Sequence, residues 1–225
     1  MIYITGDTHG EQSRFYDRRL LPDGVLTEND YLIVCGDFGY VFRNDTTERL
    51  FLDDLEQLPY TVLFVDGNHE NFDALYEFPT VEWHGGRVHK VRENILHLMR
   101  GEIYEIEGKT FFAMGGAYSI DGYMRTEGFS LWRQALPDKE EYENAAKNLK
   151  AHGFKVDYIL THTMPREMVL RFGKNPDAHE MELSGFLEWV MYETDFKHWY
   201  CGHWHTDLDL TEKFTILWFD IRTIE

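Results

Sequence analysis

The chain has little cysteine, little positive charge and no long apolar run, and each shortage narrows what the protein can be. Only two cysteines occur in 225 residues, Cys35 and Cys201, each in an apolar strand-like run just before a glycine. They read as small buried hydrophobes in a reducing cytosol. No apolar stretch approaches the ~20 residues of a bilayer-spanning helix. No basic, cleavable leader precedes the first strand, so a cytoplasmic protein without membrane partners is expected. Lysine and arginine number 22 against 40 aspartates and glutamates, a net charge of −18. So acidic a surface repels long polyanions, and no Lys/Arg cluster offers a phosphate track. A nucleic-acid polymer is therefore a poor partner. A small anionic substrate is still compatible, because bound cations invert the local field. Linkers, low-complexity tracts and solenoid repeats are also missing. With 43% hydrophobic residues to build a core, residues 1–225 are expected to form one domain.

What is present begins with Met1-Ile2-Tyr3-Ile4-Thr5, a short apolar strand that runs into Gly6-Asp7-Thr8-His9-Gly10. In an extended segment, residues two apart point the same way, so Asp7 and His9 can converge on a cation. Asp beside Gly is also ordinary turn chemistry, and the pentapeptide alone does not choose. A helix is expected over Glu11 to Leu21, with Arg14, Arg18 and Arg19 on a solvated face or against an anion. Tyr31 to Cys35 is an apolar run suited to a strand covered on both faces, and it ends in Gly36-Asp37. Thr46 to Leu58 has helical periodicity, with Leu50, Phe51, Leu55 and Leu58 on its apolar face, and Pro59 closes it. Thr61 to Val65 is another apolar strand, followed by Asp66-Gly67-Asn68-His69-Glu70. Asp7, Asp37 and Asn68 recur at intervals of 30 and 31 residues, the length of a βαβ unit. Parallel strands put their C-terminal ends along one sheet edge, so these three side chains should meet there.

From Val81 to Met114 short alternating runs separated by Gly and Asn predict a β-meander, with Glu107-Gly108 as a hairpin turn, forming a second sheet. Gly115 to Pro137 has no clear period and carries Tyr118, Asp121, Tyr123, Arg125, Trp132 and Arg133. Such a segment is either a functional loop or a surface excursion anchored by its tryptophan. Arg125 and Arg133 are the candidates for a bidentate grip on a phosphate. Two amphipathic helices are expected, over Asp138 to His152 and Glu180 to Tyr192. Strands over Val156 to Thr161 and His198 to Cys201 end in His162 and in Gly202-His203-Trp204-His205. Phe214 to Ile221 reads as a closing strand.

A lone histidine after a strand is usually structural. Here Asp-x-His, Gly-Asp, Gly-Asn-His-Glu, Thr-His and Gly-His-x-His follow one another in order, each at a strand's C-terminal end. With Gly6-Asp7-Thr8-His9, Gly36-Asp37, Gly67-Asn68-His69-Glu70, His162 and Gly202-His203-Trp204-His205, the chain resembles the calcineurin-like metallophosphoesterase family over nearly its whole length. The resemblance implies a four-layer α/β/β/α sandwich of two mixed sheets flanked by helices. It implies two divalent metals drawn from Mn, Fe, Zn and Mg, with Mn favoured. Asp7, His9 and His205 would hold one, Asn68, His162 and His203 the other, and Asp37 would bridge them. His69 would touch a phosphate oxygen or protonate the leaving oxygen, while a metal-bridging hydroxide attacks phosphorus. The implied activity is hydrolysis of a small phosphomonoester or phosphodiester. A serine/threonine protein phosphatase, a nuclease of the same fold and a non-catalytic metal-binding scaffold are the alternatives. One departure stands out: Tyr40 occupies the position where the family often has the Asp that orients the histidine. That leaves Asp66, Glu70 or Asp73 to orient His69.

Overall fold

The computed structural model describes residues 1–16 and 26–224. Its first part alternates strands with short helices: β1 (Ile2–Thr5), α1 (Ser13–Tyr16), β2 (Tyr31–Cys35), α2 (Thr46–Leu55), β3 (Thr61–Val65) and α3 (Phe72–Leu75). β1, β2 and β3 are parallel neighbours, with Thr5 opposite Val34 and Cys35 opposite Val65. Their C-terminal ends are thus aligned, as the repeat spacing requires. The expected helix from Glu11 is short where it is described, and Arg18 and Arg19 lie outside the described residues. Arg14 departs from the solvated face expected of it. It is buried, stands over the Phe219 ring at 4.5 Å, and donates to Thr5 Oγ1 and to the Trp218 carbonyl. Its apolar stem suits that interior position, and Nη2 makes both bonds while Nε has no partner among the described residues.

The inward face of α2 also differs from expectation. Leu50 is 62% exposed, whereas Glu48, Leu52 and Leu55 are buried. Helical period alone could not foresee Glu48 turning in. Its carboxylate accepts from the backbone N–H groups of Phe42, Arg43 and Asn44, and those bonds offset the burial of its charge.

The meander contains β4 (Thr80–Trp83), β5 (Gly86–Arg92), β6 (Ile95–Leu98), β7 (Ile103–Ile106) and β8 (Lys109–Met114). The turn at Glu107-Gly108 has positive φ at both residues, 52° and 69°, as a tight hairpin requires. The meander does not form a sheet of its own. β6 lies parallel to β3, so β4 to β6 extend the first sheet, while β7 and β8 begin the second. The apolar alternation of these runs fits either sheet, and the partner is chosen by tertiary packing.

The remaining elements are α4 (Lys139–Ala151), β9 (Tyr158–Thr161), α5 (Arg166–Arg171), α6 (Met181–Glu193), β10 (His198–Cys201), β11 (Leu208–Thr211), β12 (Phe214–Ile216) and β13 (Arg222–Ile224). Asp138 caps α4 in a reciprocal capping box with Glu141. The sheet orders are β13-β1-β2-β3-β6-β5-β4 and β11-β12-β10-β9-β8-β7. Phe214 to Ile221 is not one strand. The Asp207 carboxylate accepts from the N–H groups of Trp218, Phe219 and Asp220 and pulls them out of the ladder. The chain then crosses to the first sheet, where β13 pairs antiparallel with β1.

Three apolar clusters fill the spaces between four layers. Tyr3, Leu32, Val34 and Phe64 face Leu52, Leu55, Phe72 and Leu75 of the first helices. Ile4, Ile33 and Leu63 point the other way and meet Phe111, Ala113 and Leu160 of the second sheet. Phe112, Ile159 and Trp199 are covered by Leu149, Leu183 and Leu187. Successive residues of one strand serve different clusters, which is why these strands read as continuous apolar runs. The protein is thus an α/β/β/α sandwich of two mixed sheets. Cys35 and Cys201 are buried free thiols in separate clusters, as expected. Among the described residues no helix is long and apolar enough to cross a membrane.

Candidate metal centre

The C-terminal edges of the two sheets meet, and the polar residues after β1, β2, β3, β9 and β10 converge there. Glycines make the approach possible. A Cβ on Gly202 would lie 2.1 Å from Asp7 Oδ1, and one on Gly36 would lie 2.1 Å from His162 Nδ1. The backbone is strained at four of the candidate ligands. His9, Asp37, His203 and His205 have φ of 46°, 48°, 67° and 46°. Each such residue costs about 1 kcal/mol or more, a cost that persists at functional sites because surrounding structure holds it.

At the first half of the site, His205 Nε2 is 3.2 Å from Asp7 Oδ2 and 3.1 Å from His9 Nε2. Asp7 is fixed from behind by the His203 N–H, 2.9 Å from its Oδ1. At the second half, His162 Nε2 is 3.2 Å from Asn68 Oδ1, and the His162 and His203 ring centroids are 5.0 Å apart. His162 Nδ1 lies 2.8 Å from the Cys35 carbonyl, which can only accept. Nδ1 therefore carries a proton, and Nε2 is the nitrogen that faces the site. Asn68 Nδ2 donates to Ser119 Oγ, which turns Asn68 Oδ1 the same way. Asp37 stands between the halves: Oδ2 is 3.8 Å from His9 Nε2, and Oδ1 is 3.5 Å from His162 Nε2.

The electrostatics follow from this crowding. Burial opposes ionisation of Asp37, but His162, then His69 and His9, outweigh it and hold the carboxyl well below the usual range. Burial disfavours charge on His162 too, yet Asp37 and Asp7 push it up to about 10. Burial and the neighbouring His162 lower His203 to about 4. Two carboxylates and four imidazoles at such distances repel or attract one another strongly unless cations lie among them. Hard oxygen and imidazole donors in two groups around a shared carboxylate fit a pair of divalent metals.

His69 lies beside this cluster, with Nε2 4.0 Å from Asp37 Oδ2 and its N–H donating to Asp37 Oδ1. None of the carboxylates expected to orient it does so. Asp66 binds His97 and Arg100, Glu70 accepts from the Phe38 and Gly67 N–H groups, and Asp73 accepts from Trp132 Nε1. The Tyr40 hydroxyl is buried without a partner among the described residues. Arg125 takes the place instead: its Nη2 is 3.0 Å from His69 Nε2 and 2.8 Å from Asp121 Oδ2. Arg133 is brought elsewhere. It is exposed and paired with Glu127.

Residues that motif reading passed over also shape the site. Trp218 stacks on His205, with ring centroids 5.3 Å apart. Ser119 and Asp121 come from the irregular 115–137 segment, whose other half is anchored by buried Trp132. That segment thus reaches the site at one end and is anchored by its tryptophan at the other. Its polar side chains just after a glycine pair were the only available sign.

This arrangement offers the kind of donor set that metal-dependent hydrolases use. Residues 1–207 match the sequence model of the calcineurin-like phosphoesterase family, and the chain belongs to that family. The chain is 24% identical to a lariat debranching enzyme of Drosophila pseudoobscura pseudoobscura, over 91% of this chain and 42% of that protein. It is 26% identical to a lariat debranching enzyme of Schizosaccharomyces pombe (strain 972 / ATCC 24843), over 91% and 48%. The chain therefore spans a little under half the length of these relatives. The crystal structure of TT1561 of Thermus thermophilus is similar with a TM-score of 0.44 and 14% identity, covering 96% of this chain and 87% of that one.

Proposed function

We propose that residues 1–225 form one catalytic unit, a phosphoesterase that works with two divalent cations. Asp7, His9 and His205 hold one cation, Asn68, His162 and His203 hold the other, and Asp37 is shared. Manganese is the first choice for reconstitution, although this donor set also suits Fe, Zn and Mg. The observation that carries the reading is the position of Asp37, whose two oxygens face different donor groups. When bound, the cations supply an activated water and neutralise charge on the phosphoryl group.

The chain's own residues do the rest. His9 and His205 are exposed and His162 is fully buried, so a substrate enters over the first half of the site. His69 reaches the phosphoryl group from the side and contacts its oxygen or delivers a proton to the departing one. Arg125 and Asp121 hold the His69 ring in place. Two free buried thiols fit a cytoplasmic setting.

The substrate in this reading is a small phosphomonoester or phosphodiester, a nucleotide included. The names of the relatives raise a second reading, an RNA phosphodiester. The net charge of −18 weighs against a polymer. The test is metal-reconstituted protein on matched phosphomonoesters, phosphodiesters, nucleotides, phosphopeptides and a branched RNA, with Asp37→Asn as control. Asparagine tolerates the left-handed backbone at this position, so the fold should survive. Activity on a small phosphoester that disappears in Asp37→Asn is expected. Undiminished activity in that variant rules out the shared carboxylate.

A further inference from the structure

Most of the candidate ligands are aimed by a hydrogen bond to an atom that is not itself a donor to the site. The Cys35 carbonyl holds His162, Ser119 holds Asn68, the His203 N–H holds Asp7 and the His69 N–H holds Asp37. His205 is held differently. Its side chain is 51% exposed, and among the described residues no hydrogen bond reaches its Nδ1. An exposed imidazole has several staggered orientations, and only those that bring Nε2 beside Asp7 and His9 can share a cation with them. A ring restricts the choice. The Trp218 indole lies against the face of His205, with centroids 5.3 Å and planes 12° apart, while the His9 ring meets it edge-on at 5.2 Å. Trp218 is itself fixed. Its N–H donates to Asp207 Oδ1 at 2.8 Å, and its carbonyl accepts from Arg14 Nη2 at 2.7 Å. The Leu217 N–H donates to the Cys201 carbonyl at 2.8 Å, and the Leu217 carbonyl is packed so closely on Gly6 that a Cβ there would lie 2.0 Å from it. These contacts tie Trp218 to the strand ends that carry Asp7 and His203. Asp207 follows His205 by two residues, so its clamp joins the two partners of the stack. Trp218 lies beyond residues 1–207, the stretch that the family model matches.

We propose that Trp218 is a positioning residue of the metal centre: its indole, clamped by Asp207 and Arg14, holds the His205 imidazole in its ligating orientation, in place of the hydrogen bond that aims the buried ligands. The inference rests on the reading above in which Asp7, His9 and His205 share one cation. Trp218 acts through His205 alone. It leaves the ring fewer orientations to lose when the cation binds, which is the ordinary gain from preorganisation. The effect is therefore confined to one of the two ions. Trp218 is 40% exposed and belongs to none of the three apolar clusters, so replacing it leaves the cores intact.

The experiment is isothermal titration of metal-free full-length protein with Mn²⁺. Trp218→Ala is expected to raise the Kd of one ion about tenfold and to leave the other unchanged. Trp218→Phe, which keeps a flat ring, is expected to stay within about threefold of wild type. Trp218→Leu, which keeps apolar bulk without a ring face, is expected to behave as Trp218→Ala does. His205→Ala retains one ion, and adding Trp218→Ala to it is expected to leave that ion's Kd unchanged, because the indole then has no imidazole to hold. Wild-type affinities in Trp218→Ala, equal weakening of both ions, rescue by leucine, or a further loss in the double variant each overturn the proposal and leave the two-cation reading standing. Fewer than two ions bound by the wild type overturns that reading, and the role of Trp218 with it.

Discussion

Removing Arg100 should unsettle the support beneath the second half of the site. Asp66 opens the loop after β3, two residues before Asn68, and its carbonyl accepts from the Gly116 N–H at 2.9 Å. Its carboxylate is buried and receives Arg100 Nε at 2.9 Å and His97 Nε2 at 3.0 Å. Arg100 also donates to Glu141 in the capping box of α4 and to the Gln134 carbonyl. The side chains of Arg100 and Asp66 are each 1% exposed. Arg100→Met leaves the Asp66 charge in the interior with only His97. Breaking a buried pair in this way costs about 3–5 kcal/mol. For a chain of this length that lowers Tm by about 10 °C. The double variant Asp66→Asn/Arg100→Met removes the stranded charge and should recover about 2 kcal/mol relative to the sum of the single losses. Urea unfolding at pH 7.5 measures all four proteins. A loss under about 1 kcal/mol in Arg100→Met, or strict additivity in the double variant, refutes the assignment of this pair as the strut.

Two further outcomes follow from side chains around the site. His89 lies behind it, with Nδ1 2.9 Å from His97 Nδ1, and burial, aided by His97, lowers it to about 3. An unfolded histidine titrates near ~6.5, so below that pH the unfolded chain binds a proton that the native chain refuses. Stability should therefore fall as the pH drops from 6.5 towards 3, by about 2 kcal/mol at pH 5. The difference in urea midpoint between pH 7.5 and pH 5 should shrink in His89→Gln, and an unchanged difference counts against this histidine. Arg125→Ala should lower kcat about tenfold or more with metal content unchanged, because it frees the His69 ring. Wild-type kinetics in that variant would remove Arg125 from the site.

The first half of the fold was legible because its signals are local. The spacing of Asp7, Asp37 and Asn68 fixes parallel strands, and parallel strands fix a common edge. The convergence of Asp7, Asp37, Asn68, His162 and His203 was legible because each lies just after a strand whose apolar run is unambiguous. What escaped the sequence was decided by tertiary competition. Glu48 turns inward because three backbone N–H groups await it, while Leu50 on the supposed apolar face is left exposed. The meander divides between two sheets because alternation does not name a partner strand. Phe214 to Ile221 breaks because Asp207, far less apolar than its neighbours, captures three N–H groups of the run. The left-handed backbones of His9, Asp37, His203 and His205 have no sequence signature, since only the assembled site holds them there.

The central claim is that one carboxylate, Asp37, joins two metal sites. Isothermal titration of metal-free protein with Mn²⁺, checked by elemental analysis, tests it most directly. Two ions per chain are expected for the wild type and no more than one tightly held ion for Asp37→Asn, with the circular dichroism spectrum unchanged. A wild-type stoichiometry of one, or two ions held equally tightly by Asp37→Asn, would contradict the account.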